Sequence, residues 1–206
     1  DSIFVGEDGP THEPVEQLAT LRAIPGMTTI RPADGPEVAA AWAWALRHQD
    51  GPTALIFTRQ NVPAIERDIP FSVEAFNRGG YTVAETAGRE PDVVIIGTGS
   101  ELQFASAARA ALEAEGYAVR VVSMPSVELF MRQDAAYRRD LIPAGARKVV
   151  LEAGVRFGWA DVVGSDALFI TQDEYGYSAP FQVIQEKRGY TDEAVAARVL
   201  EWVKNG

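Results

Sequence analysis

The chain has 206 residues, 47% hydrophobic, 23% charged and 9% aromatic, a balance that builds a buried core and excludes wholesale disorder. With 29 acidic and 19 basic residues its formal charge is −10, which argues against nucleic acid and against an anionic membrane surface as partners. It has no cysteine, which excludes disulfides, thiol nucleophiles and cysteine-ligated zinc and suits a cytoplasmic protein, and its two histidines, His12 and His48, are too few for a multi-histidine metal centre.

No apolar run approaches the roughly 18 residues that span a bilayer, and the amino-terminal stretch has neither the basic start nor the apolar core of a secretory signal. A chain that opens on Asp1 instead of Met, with a motif inside its first ten residues, is expected to be a piece of a longer polypeptide.

In chain order, residues 12–24 place Val15, Leu18, Ala19 and Leu21 on one helical face, and Pro25-Gly26 stops that helix. Met27–Ile30 reads as a short strand. Asp34 and Glu37 have the spacing of a capping box, opening a helix that carries Val38, Trp42, Ala45 and Leu46 at helical spacing. Thr53–Phe57 is a compact apolar run between turn signals, the pattern of a buried parallel strand. Residues 62–78 carry two prolines and no clean period and read as a linker.

Beyond the linker, strands are expected at 80–85, 92–97, 118–123, 148–152 and 166–171. Helices are expected at 101–115, with Ser100 and Gln103 as a second capping box, and at 126–131, 134–141, 159–164, 180–188 and 192–204. This alternation predicts an α/β fold with mainly parallel sheet and helices on both faces. The division expected is a first unit over 1–68 and a second over 69–206.

The segment Gly6-Glu7-Asp8-Gly9-Pro10-Thr11-His12 packs two carboxylates, a hydroxyl and an imidazole into seven positions. Gly9-Pro10 forces a tight turn. Thr11 is placed to cap the following helix, which puts His12 at a helix N-terminus, where the dipole disfavours the imidazolium. A neutral imidazole donates to or accepts from a substrate oxygen, and Asp8 accepts from sugar hydroxyls; the same residues equally serve to organise a turn. Arg59 follows the 53–57 strand at its carboxyl end, where open parallel sheets bind ligands, and its fork suits phosphate or carboxylate, although a surface arginine reads the same way. Gly97-Thr98-Gly99-Ser100 is either a tight strand-to-helix turn or an anion cradle, and it lacks the full spacing of a dinucleotide or P-loop motif. Glu152 is either functional or a partner-satisfied carboxylate. The four tryptophans read as packing residues and His48 as an exposed helix end.

The blocks GEDGPTHEPVEQLATLR, IRPAD, DGPTALIFTRQN and VVIIGTGSEL, in this order and spacing, resemble the carboxyl-terminal part of transketolases. 1-Deoxyxylulose-5-phosphate synthases share a D-G-P-T-H block but read P-R-G-N where this chain has Thr58-Arg59-Gln60-Asn61; dihydroxyacetone synthases are closer relatives. The resemblance implies the end of a pyrimidine-binding α/β domain followed by a Rossmann-like carboxyl-terminal domain. It implies a homodimeric parent that uses thiamine diphosphate with Mg or Ca to move a two-carbon ketol unit between sugar phosphates in the pentose phosphate pathway. It assigns Asp8 to a substrate hydroxyl, His12 to the donor's oxygens as a catalytic residue, and Arg59 to the sugar phosphate. It also implies that the catalytic glutamate and the diphosphate-and-metal site lie outside this stretch, so that the chain alone is expected to bind no cofactor and to be inactive. The other class of reading is a non-catalytic dimerisation or scaffold module.

Overall fold

A computed structural model describes residues 2–205. After a 3-10 turn at Ile3–Val5, the first unit runs α1 (Gln17–Ala23), β1 (Thr28–Ile30), α2 (Gly35–Arg47) and β2 (Thr53–Leu55). The two strands pair in parallel, Thr28 opposite Thr53, with α2 as their crossover. β2 is half-buried instead of enclosed as its apolar run predicts, because β1 is its one strand partner among the described residues.

The buried face of α2 also differs from expectation. Its buried residues are Glu37, Ala40 and Ala41, whereas Trp42 is 51% and Leu46 77% exposed. Both stripes have helical spacing, so hydrophobicity alone selects the wrong one. Trp42 stacks on Phe57 with ring centroids 6.0 Å apart. The expected cap is present, since Asp34 accepts from the Glu37 amide. Glu37 does not close the box on Asp34. Its carboxylate accepts from the Ala33 amide at 2.8 Å, the Tyr81 hydroxyl at 2.6 Å and the Ser123 hydroxyl at 2.7 Å.

The second unit comprises α3 (Val73–Phe76), β3 (Tyr81–Glu85), β4 (Val93–Gly97), α4 (Ala105–Ala114), β5 (Val119–Ser123), α5 (Val127–Met131), α6 (Ala135–Leu141), β6 (Arg147–Leu151), α7 (Ala160–Val163), β7 (Leu168–Ile170), α8 (Phe181–Arg188) and α9 (Asp192–Asn205). Its sheet has the order β3-β5-β4-β6-β7, with β3 antiparallel and the rest parallel. β4 is apolar at every position because both its faces are covered. Val93 and Ile95 enter the core shared with the first unit, and Val94 and Ile96 enter the core on the opposite face around Trp159. α9 buries Val195, Val199 and Val203 along one stripe.

The helix predicted from Ser100 begins later. Residues Gly99–Phe104 wind as a 3-10 helix, and α4 starts at Ala105. Ser100 does not cap it; its hydroxyl donates to Glu101 at 2.6 Å and accepts from Gln60 at 3.3 Å. Arg31, at the end of β1, reaches into this turn. It binds Glu101 through two nitrogens and donates to the Thr98 carbonyl at 2.7 Å. A Cβ at Gly99 would lie 2.6 Å from the Arg31 guanidinium carbon, and Gly99 has φ +57°, so glycine is required there twice over. The linker is pinned as well, because Arg67 forks onto both oxygens of Asp34 at 2.7 and 3.0 Å.

Candidate functional site

The Gly6–His12 segment is a chain of tight turns. The amide of Gly9 donates to the Gly6 carbonyl and that of His12 to the Gly9 carbonyl, each at 3.0 Å, with both glycines at positive φ. The helix expected from His12 starts at Gln17, five residues on, with Glu16 as its cap position. Pro14 pushes Glu13 away from helical angles, and the Val15 amide is taken by the Gln17 side chain at 2.8 Å. His12 therefore lies in a loop and not at a helix N-terminus, and no helix dipole acts on it. Its Nδ1 pairs with the Thr11 hydroxyl at 2.9 Å, which orients the ring.

Arg59 arrives from the turn after β2, where the Thr58 hydroxyl donates to the Gln60 carbonyl at 3.1 Å. Its guanidinium forms an ion pair with Asp8 and donates to the Val5 carbonyl at 3.1 Å. The structure thus brings two of the three predicted residues, Asp8 and Arg59, into direct contact across 51 positions of sequence. His12 is joined to them through the loop. It lines a cleft of about 640 Å³ with Val5, Glu13, Glu16 and Tyr175. Arg59 lines a neighbouring hollow of about 400 Å³ with Val5, Glu7, Gln60, Asn61 and Phe181. Val5 borders both.

The second unit closes the back of this loop. Ser178 donates to the Glu7 carbonyl at 2.8 Å. Glu13 is 4% exposed, and burial pushes its carboxyl up to about 7 from the ordinary 4.5, against the pull of the Gly6 amide and Arg188. Sequence reasoning placed Glu13 inside a helix and missed both its burial and the contribution of Tyr175. The available signal was Pro14, which argues against helix at Glu13.

The remaining candidates resolve as structure. Glu152 is fully buried, ion-paired with Arg22 at 2.9 Å and bound by the Trp159 indole N–H. His48 stacks on Trp44 at 4.3 Å. The Gly97–Ser100 turn packs against the buried Arg31–Glu101 pair, with Arg31 donating to the Thr98 carbonyl. Among the described residues no cluster of three or more His, Asp or Glu is placed to hold a metal ion, and no helix is long and apolar enough to cross a membrane.

Residues 1–64 match the profile of the transketolase pyrimidine-binding domain, and residues 79–191 match that of the transketolase-like C-terminal domain. The chain is 50% identical over 202 residues to a transketolase of Aquifex aeolicus, covering 98% of this chain and 29% of that protein. The curated relatives it matches are thus about three times its length. Among solved structures it superposes on a Pichia stipitis transketolase in complex with sedoheptulose 7-phosphate, at a TM-score of 0.89 and 36% identity, covering 99% of this chain and 29% of that one. It also superposes on a split-gene transketolase described as an inactive β4 tetramer, at a TM-score of 0.73 and 26% identity, covering 95% of this chain and 63% of that one. Profiles covering both units, high identity and a shared fold agree: this chain belongs to the transketolase family.

Proposed function

We propose that this chain supplies one wall of a sugar-phosphate site in a transketolase that transfers a two-carbon ketol unit from a ketose phosphate to an aldose phosphate. The observation that carries the reading is the exposed Asp8–Arg59 pair set beside the His12 cleft. An exposed ion pair contributes only about 0–1 kcal/mol to folding, so fold stability does not require the two residues to be there. Arg59 has the planar fork that takes a phosphate through two N–H donors, and Asp8 beside it holds that fork in place. Asp8 also offers an acceptor to a sugar hydroxyl, and His12, oriented by Thr11, exchanges hydrogen bonds with a substrate oxygen. The pairing is local, which is how a chain of formal charge −10 binds an anion. The sugar phosphate named for the Pichia stipitis relative supports this substrate class.

In the complete enzyme, thiamine diphosphate with Mg or Ca supplies the carbanion chemistry, and this chain's share is binding and orientation. The piece alone is then inactive and needs the rest of a homodimeric, cytoplasmic enzyme. The inactive assembly named for the split-gene relative supports that reading.

In the full-length protein, Arg59→Ala should raise KM for phosphorylated sugars by about 1.5–3 kcal/mol, roughly 10- to 150-fold, and leave unphosphorylated sugars nearly unchanged. Equal effects on both substrate types would remove Arg59 from the phosphate. Turnover of pyruvate in place of xylulose 5-phosphate would assign the protein to the 1-deoxyxylulose-5-phosphate synthase chemistry instead.

A further inference from the structure

The roles given to Asp8, His12 and Arg59 leave unused the residue that follows Arg59. Gln60 is buried, while Arg59 and Asn61 on either side of it are exposed. It is the point at which the turn after β2 enters the seam between the two units. Its carboxamide nitrogen donates to the Ser100 hydroxyl at 3.3 Å, and that hydroxyl donates to Glu101 at 2.6 Å. Glu101 is itself fixed, accepting from the Ala153 amide at 2.8 Å and from Arg31 Nη2 at 3.2 Å. Gln60 is thus tied to a buried network assembled from the ends of β1, β4 and β6.

The donors in this chain all point one way. Ser100 has a single hydroxyl proton, and it is directed at Glu101, so toward Gln60 the oxygen presents lone pairs. Position 60 must therefore supply a donor, which a carboxamide does and a carboxylate or an apolar side chain does not. The other end of the side chain, Oε1, is buried without a hydrogen-bond partner among the described residues. Burying that oxygen costs desolvation that an apolar residue of the same length avoids, so filling space does not account for a glutamine here.

The backbone of the same residue closes the turn, because the Thr58 hydroxyl donates to the Gln60 carbonyl at 3.1 Å. Arg59 lies between these two residues, and its guanidinium reaches out to the Val5 carbonyl and Asp8. A guanidinium fork takes a phosphate through two N–H groups only when both are aimed, so drift of this turn loses one of them. We propose that Gln60 is a positioning residue for Arg59: through Ser100 it ties the turn that presents Arg59 to the buried Arg31–Glu101 pair, so that the packing of the two units fixes where the fork stands. The consequence for phosphate rests on the reading of Arg59 given above; the tether itself does not.

The test uses the full-length protein that carries this chain, with Gln60→Met, Gln60→Glu, Ser100→Ala, the double variant Gln60→Met, Ser100→Ala, and Arg59→Ala. The first readout is the ratio of KM for a phosphorylated ketose to KM for the same ketose without phosphate. Gln60→Met and Ser100→Ala should each raise this ratio about three- to tenfold, and the double variant should raise it no further, since all three break one contact. Gln60→Glu, which keeps the shape and loses the donor, should raise it at least as much as Gln60→Met. Added to Arg59→Ala, Gln60→Met should change nothing more. An unmoved ratio in Gln60→Met or Gln60→Glu while Arg59→Ala raises it, or multiplied effects in the double variant, would each overturn the proposal. The second readout is the midpoint of chemical denaturation, where losses from Gln60→Met and Ser100→Ala should not add; additive losses would remove the tether. If the midpoints are coupled while Arg59→Ala affects both ketoses equally, the tether stands and the reading of Arg59 falls.

Discussion

Two arginine–carboxylate pairs tie distant parts of this chain together, and their surroundings make them opposites. Arg31 and Glu101 join the first unit to the second with side chains 1% and 0% exposed. Asp8 and Arg59 join two loops within the first unit with side chains 46% and 58% exposed. In the interior, removing one member strands a charge, and the cost is about 3–5 kcal/mol. At the surface, water replaces the lost partner, and the cost is about 0–1 kcal/mol. The buried pair is architecture. It fills the carboxyl end of β4, the point where the chain leaves the sheet centre for β5 on one side and returns to β6 on the other, a position where many α/β proteins bind ligands. The exposed pair is the one whose loss the fold tolerates, which leaves it available for chemistry.

The contrast can be tested as a series of decreasing effect on stability. Glu101→Gln or Arg31→Met should destabilise the protein by about 3–5 kcal/mol, read from chemical denaturation, and the double variant Arg31→Met, Glu101→Leu should recover part of the loss because neither charge is then stranded. A single variant with no measurable effect would end the distinction drawn here. Asp34→Ala comes next. It removes a helix cap and both bonds to Arg67, whose side chain is 10% exposed, and should cost about 2–3 kcal/mol. Arg59→Ala should change stability by less than about 1 kcal/mol while altering the kinetics as described above. A loss as large as that of Glu101→Gln would make Arg59 a structural residue.

pH sharpens the same comparison. Glu13 binds its proton more tightly in the folded state, at about 7 against an ordinary 4.5. The folded protein therefore holds more protons than the unfolded chain between these values, and stability falls with rising pH across that window. The contribution is complete below 4.5 and lost as pH passes 7. Glu13→Gln should abolish this slope.

Much of the second unit was legible in advance because its signals are local and strong. VVIIG between turn residues announces β4, and Val195, Val199 and Val203 repeat at helical spacing in α9. The first unit was less so. Val38, Trp42 and Leu46 make a better apolar stripe than Glu37, Ala40 and Ala41, yet the second stripe is the buried one. A buried glutamate is invisible to a hydrophobicity count, and the donors that make its burial tolerable, on Tyr81 and Ser123, lie 44 and 86 positions away. The candidate site divides in the same way. Asp8, His12 and Arg59 stood out by residue type and motif, whereas Glu13 and Tyr175 did not, because their places depend on how the 174–178 segment folds back over the first loop.

By itself, then, the sequence determined the order of the strands and of most helices (α3, inside the expected linker, excepted), the α/β class and the loops that carry polar chemistry, since propensity, turn residues and periodicity act within a few positions. Tertiary structure alone decided which stripe of α2 is buried, that the Arg31–Glu101 pair fills the Gly97–Ser100 turn, and that Glu13 sits under Gly176. Each of those outcomes depends on the cost of burying a charge or a carboxyl, and that cost is set by partners that come together only when the two units pack.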